Sequence, residues 1–315
     1  MTEDIDVSNG FRLTNTISFD LRPARGGEPY RIFIAPPSGD MPASGWPILY
    51  LLDGNACFPL AVAAHRIQAP YPGGTNIAQG IIVGIGYPTE DLFHPLRRSW
   101  DLSPPPGRTY PPFETGGPPV RTGGAEEFLE FIETELKPHI TKVFPVDADR
   151  QSLFGHSFGG LFALYTLFSR ARSFSRYIAA SPSIFWEGCR VLDLENQFLA
   201  NVPTGKEVKL HLCAGEHEGE ELAPFQIDAE DASARLKQKK EARTLVHVNG
   251  LAARLSIAAP PGMHVEHEIF TGENHMSALP IAIARAIRLC FEWRSSGLCL
   301  RKRHGHIGCE FVASP

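Results

Sequence analysis

A chain of 315 residues is too long for a small stapled module and long enough to bury most of its apolar surface, which fits one large α/β domain or two ordinary ones. Thirty Lys and Arg against 35 Asp and Glu leave a net charge of −5, which argues against a general nucleic-acid binder while allowing a local basic pocket. No apolar run reaches the roughly 18 residues of a membrane-spanning helix, and the acidic start Met1–Asp6 lacks an apolar secretory core, so the expected compartment is the cytoplasm.

In chain order, Arg12 to Asp20 and Tyr30 to Ile34 alternate with period two around a turn at 22–28, which predicts an antiparallel hairpin. Short, unbroken apolar runs follow at Pro47–Leu52, Gly80–Gly86, Ser152–Phe154, Tyr177–Ala180 and Val208–Leu212. Such runs mark parallel strands covered by helices on both faces. Met263 to Phe270 alternates and predicts a last strand. Ala125 to Ile140 carries Phe128, Leu129, Ile132, Leu136 and Ile140 at helical spacing. Gly160 to Ser169 is apolar nearly all round, which predicts a buried helix, and Ala278 to Trp293 predicts a final one.

Three stretches break the alternation: about 88–124, rich in Pro, Gly and aromatics; 182–206, with Trp186; and 218–262, with a charged helical stretch from Asp228 to Arg243. We expect them as loops and cap insertions near the active site of a single domain spanning 1–294, since long insertions are usually functional. The basic stretch 295–315 is expected to be an irregular tail. The six cysteines show no C-x-x-C spacing, so no zinc or redox motif is expected, and Cys213 and Cys290 read as buried thiols.

The chemistry centres on Gly155-His156-Ser157-Phe158-Gly159-Gly160, which follows an apolar strand and precedes a buried helix. That is G-x-S-x-G in the strand–turn–helix setting of a nucleophile elbow, where the tight turn demands small residues two before and two after the serine. The bare pattern also fits a glycine-rich turn at a helix start; its context favours the enzymatic reading. The Phe158 amide would be one oxyanion donor. The second is expected in the loop 51–58, where Gly54 permits close approach and the Asn55 amide is the candidate.

A serine hydroxyl needs a base. In this chain order the acid and then the histidine follow the serine. Of 12 histidines, His275 sits in a loop after the last strand and before the final helix, where the base belongs. His264 and His267 read as strand side chains rather than metal ligands, His304 and His306 as solvated, and His156 as a packing or hydrogen-bonding residue that the elbow turns away from Ser157. The acid should lie after Val208–Leu212, among Glu216, Glu218, Glu220 and Glu221; Glu218 is favoured, with Glu216 the alternative. Gly84-x-Gly86 lacks a third glycine and a following helix, so no dinucleotide cofactor is expected.

Five segments carry a family likeness: Leu51-Leu52-Asp53-Gly54-Asn55, Arg98 to Pro104, Gly155 to Gly160, Ser181-Pro182-Ser183-Ile184-Phe185-Trp186, and Gly272-Glu273-Asn274-His275. In this order they resemble the esterase-D-like α/β-hydrolases, nearest the branch of siderophore trilactone hydrolases that act on enterobactin, salmochelin and bacillibactin. The likeness runs from about residue 11 to 293. It implies an α/β-hydrolase fold, with a mostly parallel sheet, an antiparallel N-terminal hairpin and helices on both faces. It also implies Ser157 as nucleophile and His275 as base; from the residues themselves no cofactor or metal is expected. Some trilactone hydrolases resemble Ser–His dyads, which leaves the acid open. The arginine-rich segment Arg97–Pro104 departs from the family pattern at Trp100 and Ser103.

The function this implies is a serine esterase that opens a ferric catecholate trilactone through an acyl-enzyme and releases iron. Arg97 and Arg98 would meet the anionic substrate, and Trp100 and Trp186 would wall it, as would Tyr110 and Phe113. In the structural alternative one arginine pairs with Asp101 under the cap. A general carboxylesterase, an S-acyl-glutathione hydrolase and a binding module on a hydrolase fold are the competing functions. The expected partner is a small-molecule ester; neither nucleic acid nor membrane is expected.

Overall fold

The computed structural model describes residues 12–200, 207–259 and 261–293; the expected tail lies outside them. Ten strands and eleven helices form among these residues. The strands are β1 (Ile17–Leu21), β2 (Tyr30–Ala35), β3 (Trp46–Leu51), β4 (Ile81–Gly86), β5 (Thr109–Tyr110), β6 (Val120–Arg121), β7 (Val146–His156), β8 (Arg176–Ala180), β9 (Val208–Gly215) and β10 (Met263–Phe270). The helices are α1 (Gly54–Arg66), α2 (Pro72–Thr75), α3 (Pro95–Asp101), α4 (Ala125–Phe131), α5 (Lys137–Thr141), α6 (Phe158–Ser169), α7 (Trp186–Cys189), α8 (Val191–Ala200), α9 (Ala232–Ala242), α10 (Thr244–Ala258) and α11 (Ala278–Cys290).

One eight-stranded sheet has the order β1-β2-β4-β3-β7-β8-β9-β10. The hairpin β1–β2 is antiparallel and β2 pairs antiparallel with β4. Every pairing from β4 to β10 is parallel. The residues of β3, β4 and β8 are buried throughout, which is why these strands read as unbroken apolar runs. One face packs on α4, α6, α8 and α10 through residues such as Tyr50, Phe128, Phe162 and Leu251. The other packs on α1 and α11 through Leu49, Phe154, Val62 and Ile283.

Several boundaries differ from expectation. β7 begins six residues earlier than its apolar part, because Val146–Gln151 is mostly polar yet still pairs with β3. The long helix 125–141 is interrupted by a π-helical turn at Ile132–Leu136, just before Pro138, whose ring nitrogen has no hydrogen to donate. The charged stretch near 228–243 continues past a left-handed residue, Arg243, into a second helix, α10. Gly84 and Gly86 lie in β4, where they let α1 approach: a Cβ on Gly86 would meet Asn55 Oδ1 at 2.1 Å. Among the described residues no helix is long and apolar enough to cross a membrane.

Candidate active site

Ser157 stands at the end of β7 with φ 60° and ψ −117°, a strained conformation for a non-glycine residue. Its N–H donates to Ala180 O (2.9 Å), and its carbonyl accepts from Leu161 N (2.9 Å) and Ser183 N (3.1 Å). The elbow is closed by small residues. A Cβ on Gly155 would lie 2.0 Å from Gly159 O, and one on Gly160 would lie 2.8 Å from Ala180 O. The side chain is thereby lifted off the sheet at the N-terminus of α6, where the Phe158 amide is the first of the helix. Ser157 Oγ lies 3.4 Å from Ser183 Oγ.

His275 arrives from the loop between β10 and α11, and its Nδ1 is 2.7 Å from Glu218 Oε2. A carboxylate only accepts, so the ring proton sits on Nδ1 and Nε2 is left as the basic nitrogen. Glu218 belongs to the tight turn Glu216–Glu218 that follows β9. Its other oxygen accepts from Ser181 Oγ (2.6 Å) and from Gly215 N (2.8 Å). Burial pushes this carboxyl up, but the His275, Ser181 and Gly215 hydrogen bonds outweigh burial and hold it below the usual carboxylate range. Glu216 does a different job: its Oε2 accepts from Gly272 N (2.7 Å) and so ties down the histidine loop. Gly215 lets that loop approach, since a Cβ there would meet Glu273 O at 2.4 Å.

His156 packs its ring against His275, with centroids 4.6 Å apart, and donates from Nε2 to His275 O at 2.8 Å. Burial first, then the neighbouring His275, pushes its pKa down to about 3, so it is a neutral strut. Sequence reasoning named Ser181 and Ser183 only as part of a family-like segment and missed their contacts with Glu218 and Ser157.

Asn55 is the second residue of α1; its side chain spans to the next loop, donating to Tyr87 O and Thr89 O and accepting from Tyr87 N. Trp186 stacks edge-on against Phe158 (4.7 Å) and beside Tyr110 (5.3 Å). Glu187 holds this wall to the β5–β6 hairpin, accepting from Tyr110 Oη and pairing with Arg108 at 3.0 Å. Phe113 is 63% exposed. Trp100 packs against Gly124 and under Arg121, whose guanidinium is 4.5 Å from its ring centroid.

The two arginines expected at the substrate have protein partners. Arg97 is clasped between the Tyr30 and Tyr87 rings at 4.6 and 4.8 Å, and donates to Pro29 O and Glu28 O. Arg98 forms the buried ion pair of this segment, but with Asp53, through Nε–Oδ1 at 2.9 Å and Nη2–Oδ2 at 3.0 Å. Asp101 instead accepts from Tyr30 Oη at 2.8 Å.

A mixed sheet of this order, helices on both faces and a serine on the strand-to-helix elbow together define an α/β-hydrolase. The chain belongs to the putative esterase family, whose model matches residues 24–265. It is therefore a hydrolase of ester bonds. It is 34% identical over 283 residues to the ferri-bacillibactin esterase BesA of Bacillus subtilis, covering 90% of this chain and 91% of that protein. It is also 34% identical over 293 residues to a siderophore triacetylfusarinine C esterase of Aspergillus fumigatus, covering 89% and 94%. Among solved structures, the BES protein of Bacillus cereus superposes with a TM-score of 0.77 at 32% identity, covering 91% of this chain and 99% of that one.

Proposed function

We propose that the chain is a serine esterase that hydrolyses the backbone esters of a ferric catecholate trilactone siderophore. The observation that carries the catalytic part is the 2.7 Å contact between His275 Nδ1 and the buried Glu218, together with the strained elbow that holds Ser157 at the end of β7. The substrate class rests on the siderophore esterases that share about a third of its residues over nine-tenths of its length.

In the proposed reaction Ser157 Oγ attacks the ester carbonyl while His275 Nε2 takes its proton. The Phe158 and Asn55 amides receive the oxyanion. The C–O bond of the lactone then breaks, the imidazolium returns the proton to the leaving alkoxide, and an acyl-Ser157 remains. Water repeats the sequence: it attacks the acyl carbon while giving a proton to His275, the C–Oγ bond breaks, and the imidazolium returns the proton to Ser157 Oγ as the acid leaves. Glu218 holds the imidazole in the productive tautomer and stabilises its charged form. Opening the lactone ring loosens the preorganised catecholate cage, and iron is released more readily.

Trp186, Phe158 and Tyr110 supply the aromatic wall for the catecholate rings. Arg98 lies 5.6 Å from the Phe158 ring centroid, but its charge is neutralised by Asp53. Arg97 shapes the cap from behind. Cytoplasmic placement suits the buried thiols Cys57, Cys213 and Cys290.

The test is active-site labelling. A fluorophosphonate should add once, on Ser157, and turnover of p-nitrophenyl acetate should fall in step with adduct formation. A single adduct on another serine would refute the assignment.

A further inference from the structure

Resting on the serine-esterase reading, we propose that the Arg98–Asp53 pair is a positioning device for the oxyanion hole: Arg98 draws the Asp53 carboxylate away from the helix amides that must receive the substrate's developing charge. Asp53 links β3 to α1 and is the residue before the first turn of α1, the turn that contains the Asn55 amide. An aspartate in that place normally turns its carboxylate back onto the helix amides. Here the side chain makes no such bond, and only its carbonyl caps the helix, accepting from Ala56 N and Cys57 N at 3.0 Å each. The backbone is left-handed at φ 49° and ψ 50°, and the residue is 4% exposed. The carboxylate points instead to Arg98, which grips both its oxygens.

The placement matters because Asp53 lies between the two helix N-termini that carry the oxyanion donors. On one side is α1. On the other is α6, where a Cβ on Gly159 would sit 3.7 Å from Asp53 Oδ2. An unrestrained carboxylate here would be attracted by both sets of amides and would repel the oxyanion. The fork of Arg98 fixes it in two bonds, which a lysine cannot do. Arg98 is itself fixed from α3, so the cap segment and the oxyanion loop are locked together.

The experiment is a double-mutant cycle on Arg98→Gln, Asp53→Asn and the double variant, with Arg98→Lys alongside. It measures kcat and KM for p-nitrophenyl acetate, the inhibition constant of a trifluoromethyl ketone that forms a tetrahedral adduct, and melting temperature. Loss of one oxyanion donor costs about 10²- to 10³-fold in kcat, so Arg98→Gln should lose about 100-fold in kcat on this neutral ester with KM within about threefold. Ketone affinity should fall in parallel. The double variant should recover several-fold over Arg98→Gln, because the stray charge is gone. Arg98→Lys should recover little. Unchanged kcat on the neutral ester, or losses that simply add in the double variant while melting temperature falls with them, would overturn the proposal. Ser157-dependent turnover by the wild type, measured first, tests the esterase reading separately.

Discussion

Replacing Glu218 by Gln probes the centre of the site with little change of shape. The glutamine carbonyl can still accept from Ser181 Oγ and Gly215 N, so the turn after β9 should hold. Its amide N–H₂ would then face His275 Nδ1, where the carboxylate oxygen now lies at 2.7 Å. A donor in that place forces Nδ1 to accept, which moves the ring proton to Nε2, the nitrogen that takes the serine's proton in the proposed reaction. The charge-assisted hydrogen bond alone is worth about 1.5–3 kcal/mol, or about 10- to 150-fold. The wrong tautomer adds to that, and the full effect in buried triads is about 10⁴-fold. His275 has 41% of its side chain exposed, so water can stabilise part of its charge. We expect kcat to fall about 10²- to 10⁴-fold with KM nearly unchanged, since Glu218 does not touch the substrate. Glu216→Gln keeps an acceptor for Gly272 N and should stay within about threefold of wild type. Steady-state kinetics on p-nitrophenyl acetate, with circular dichroism to check the fold, reads both. A Glu218→Gln enzyme within tenfold of wild type, or a larger loss in Glu216→Gln, would refute the relay as drawn.

Other perturbations have equally definite outcomes. Ser157→Ala should lose at least about 10⁴-fold in kcat while melting like wild type; a tenth of the activity remaining in clean protein would remove the serine from the reaction. Gly155→Ala should cost more than about 1–3 kcal/mol in thermal unfolding and most of the activity, because its Cβ would sit 2.0 Å from Gly159 O and the elbow has no slack; a melting temperature within 2 °C of wild type, as a rough bound, would show otherwise. His156 has its pKa pushed down to about 3, against about 6.5 in the unfolded chain, so between those values the unfolded state binds the extra proton and stability rises with pH. At pH 5 this amounts to about 2 kcal/mol, and His156→Gln should flatten that part of the stability–pH curve; an unchanged slope would contradict a buried neutral His156. Arg97→Ala should lower melting temperature and activity on neutral and anionic esters together, since its partners are Tyr30, Tyr87 and two carbonyls; a KM increase confined to an anionic ester would place it at the substrate.

The elements that sequence made legible are those whose cause is local. Unbroken apolar runs identified β3, β4, β8 and β9 because both faces of each are covered, and the glycines around Ser157 announced the elbow because no larger residue fits there. Glu218 could be favoured over Glu216 from its offset after β9, but the reason the offset matters is the fold of the turn, which points one carboxylate at His275 and the other at Gly272 N. The polar start of β7 was invisible because its pairing with β3 is made by the backbone. The structural alternative paired one arginine of this segment with Asp101; the structure instead pairs Arg98 with Asp53, 45 residues earlier in the chain, and gives Asp101 to Tyr30 Oη. Ser181 and Ser183 stood in a segment that carried the family likeness, but their roles were not legible, because a serine hydroxyl acquires a role from what the fold sets beside it.

The most direct measurement of the central claim is turnover of a ferric catecholate trilactone, followed by chromatographic separation of the linearised products and compared with p-nitrophenyl acetate and formylglutathione. The wild type should open the trilactone with a kcat/KM well above those for the two small substrates, and Ser157→Ala should yield no linear product. Ser157-dependent hydrolysis of the small esters with an intact trilactone after prolonged incubation would contradict the siderophore assignment.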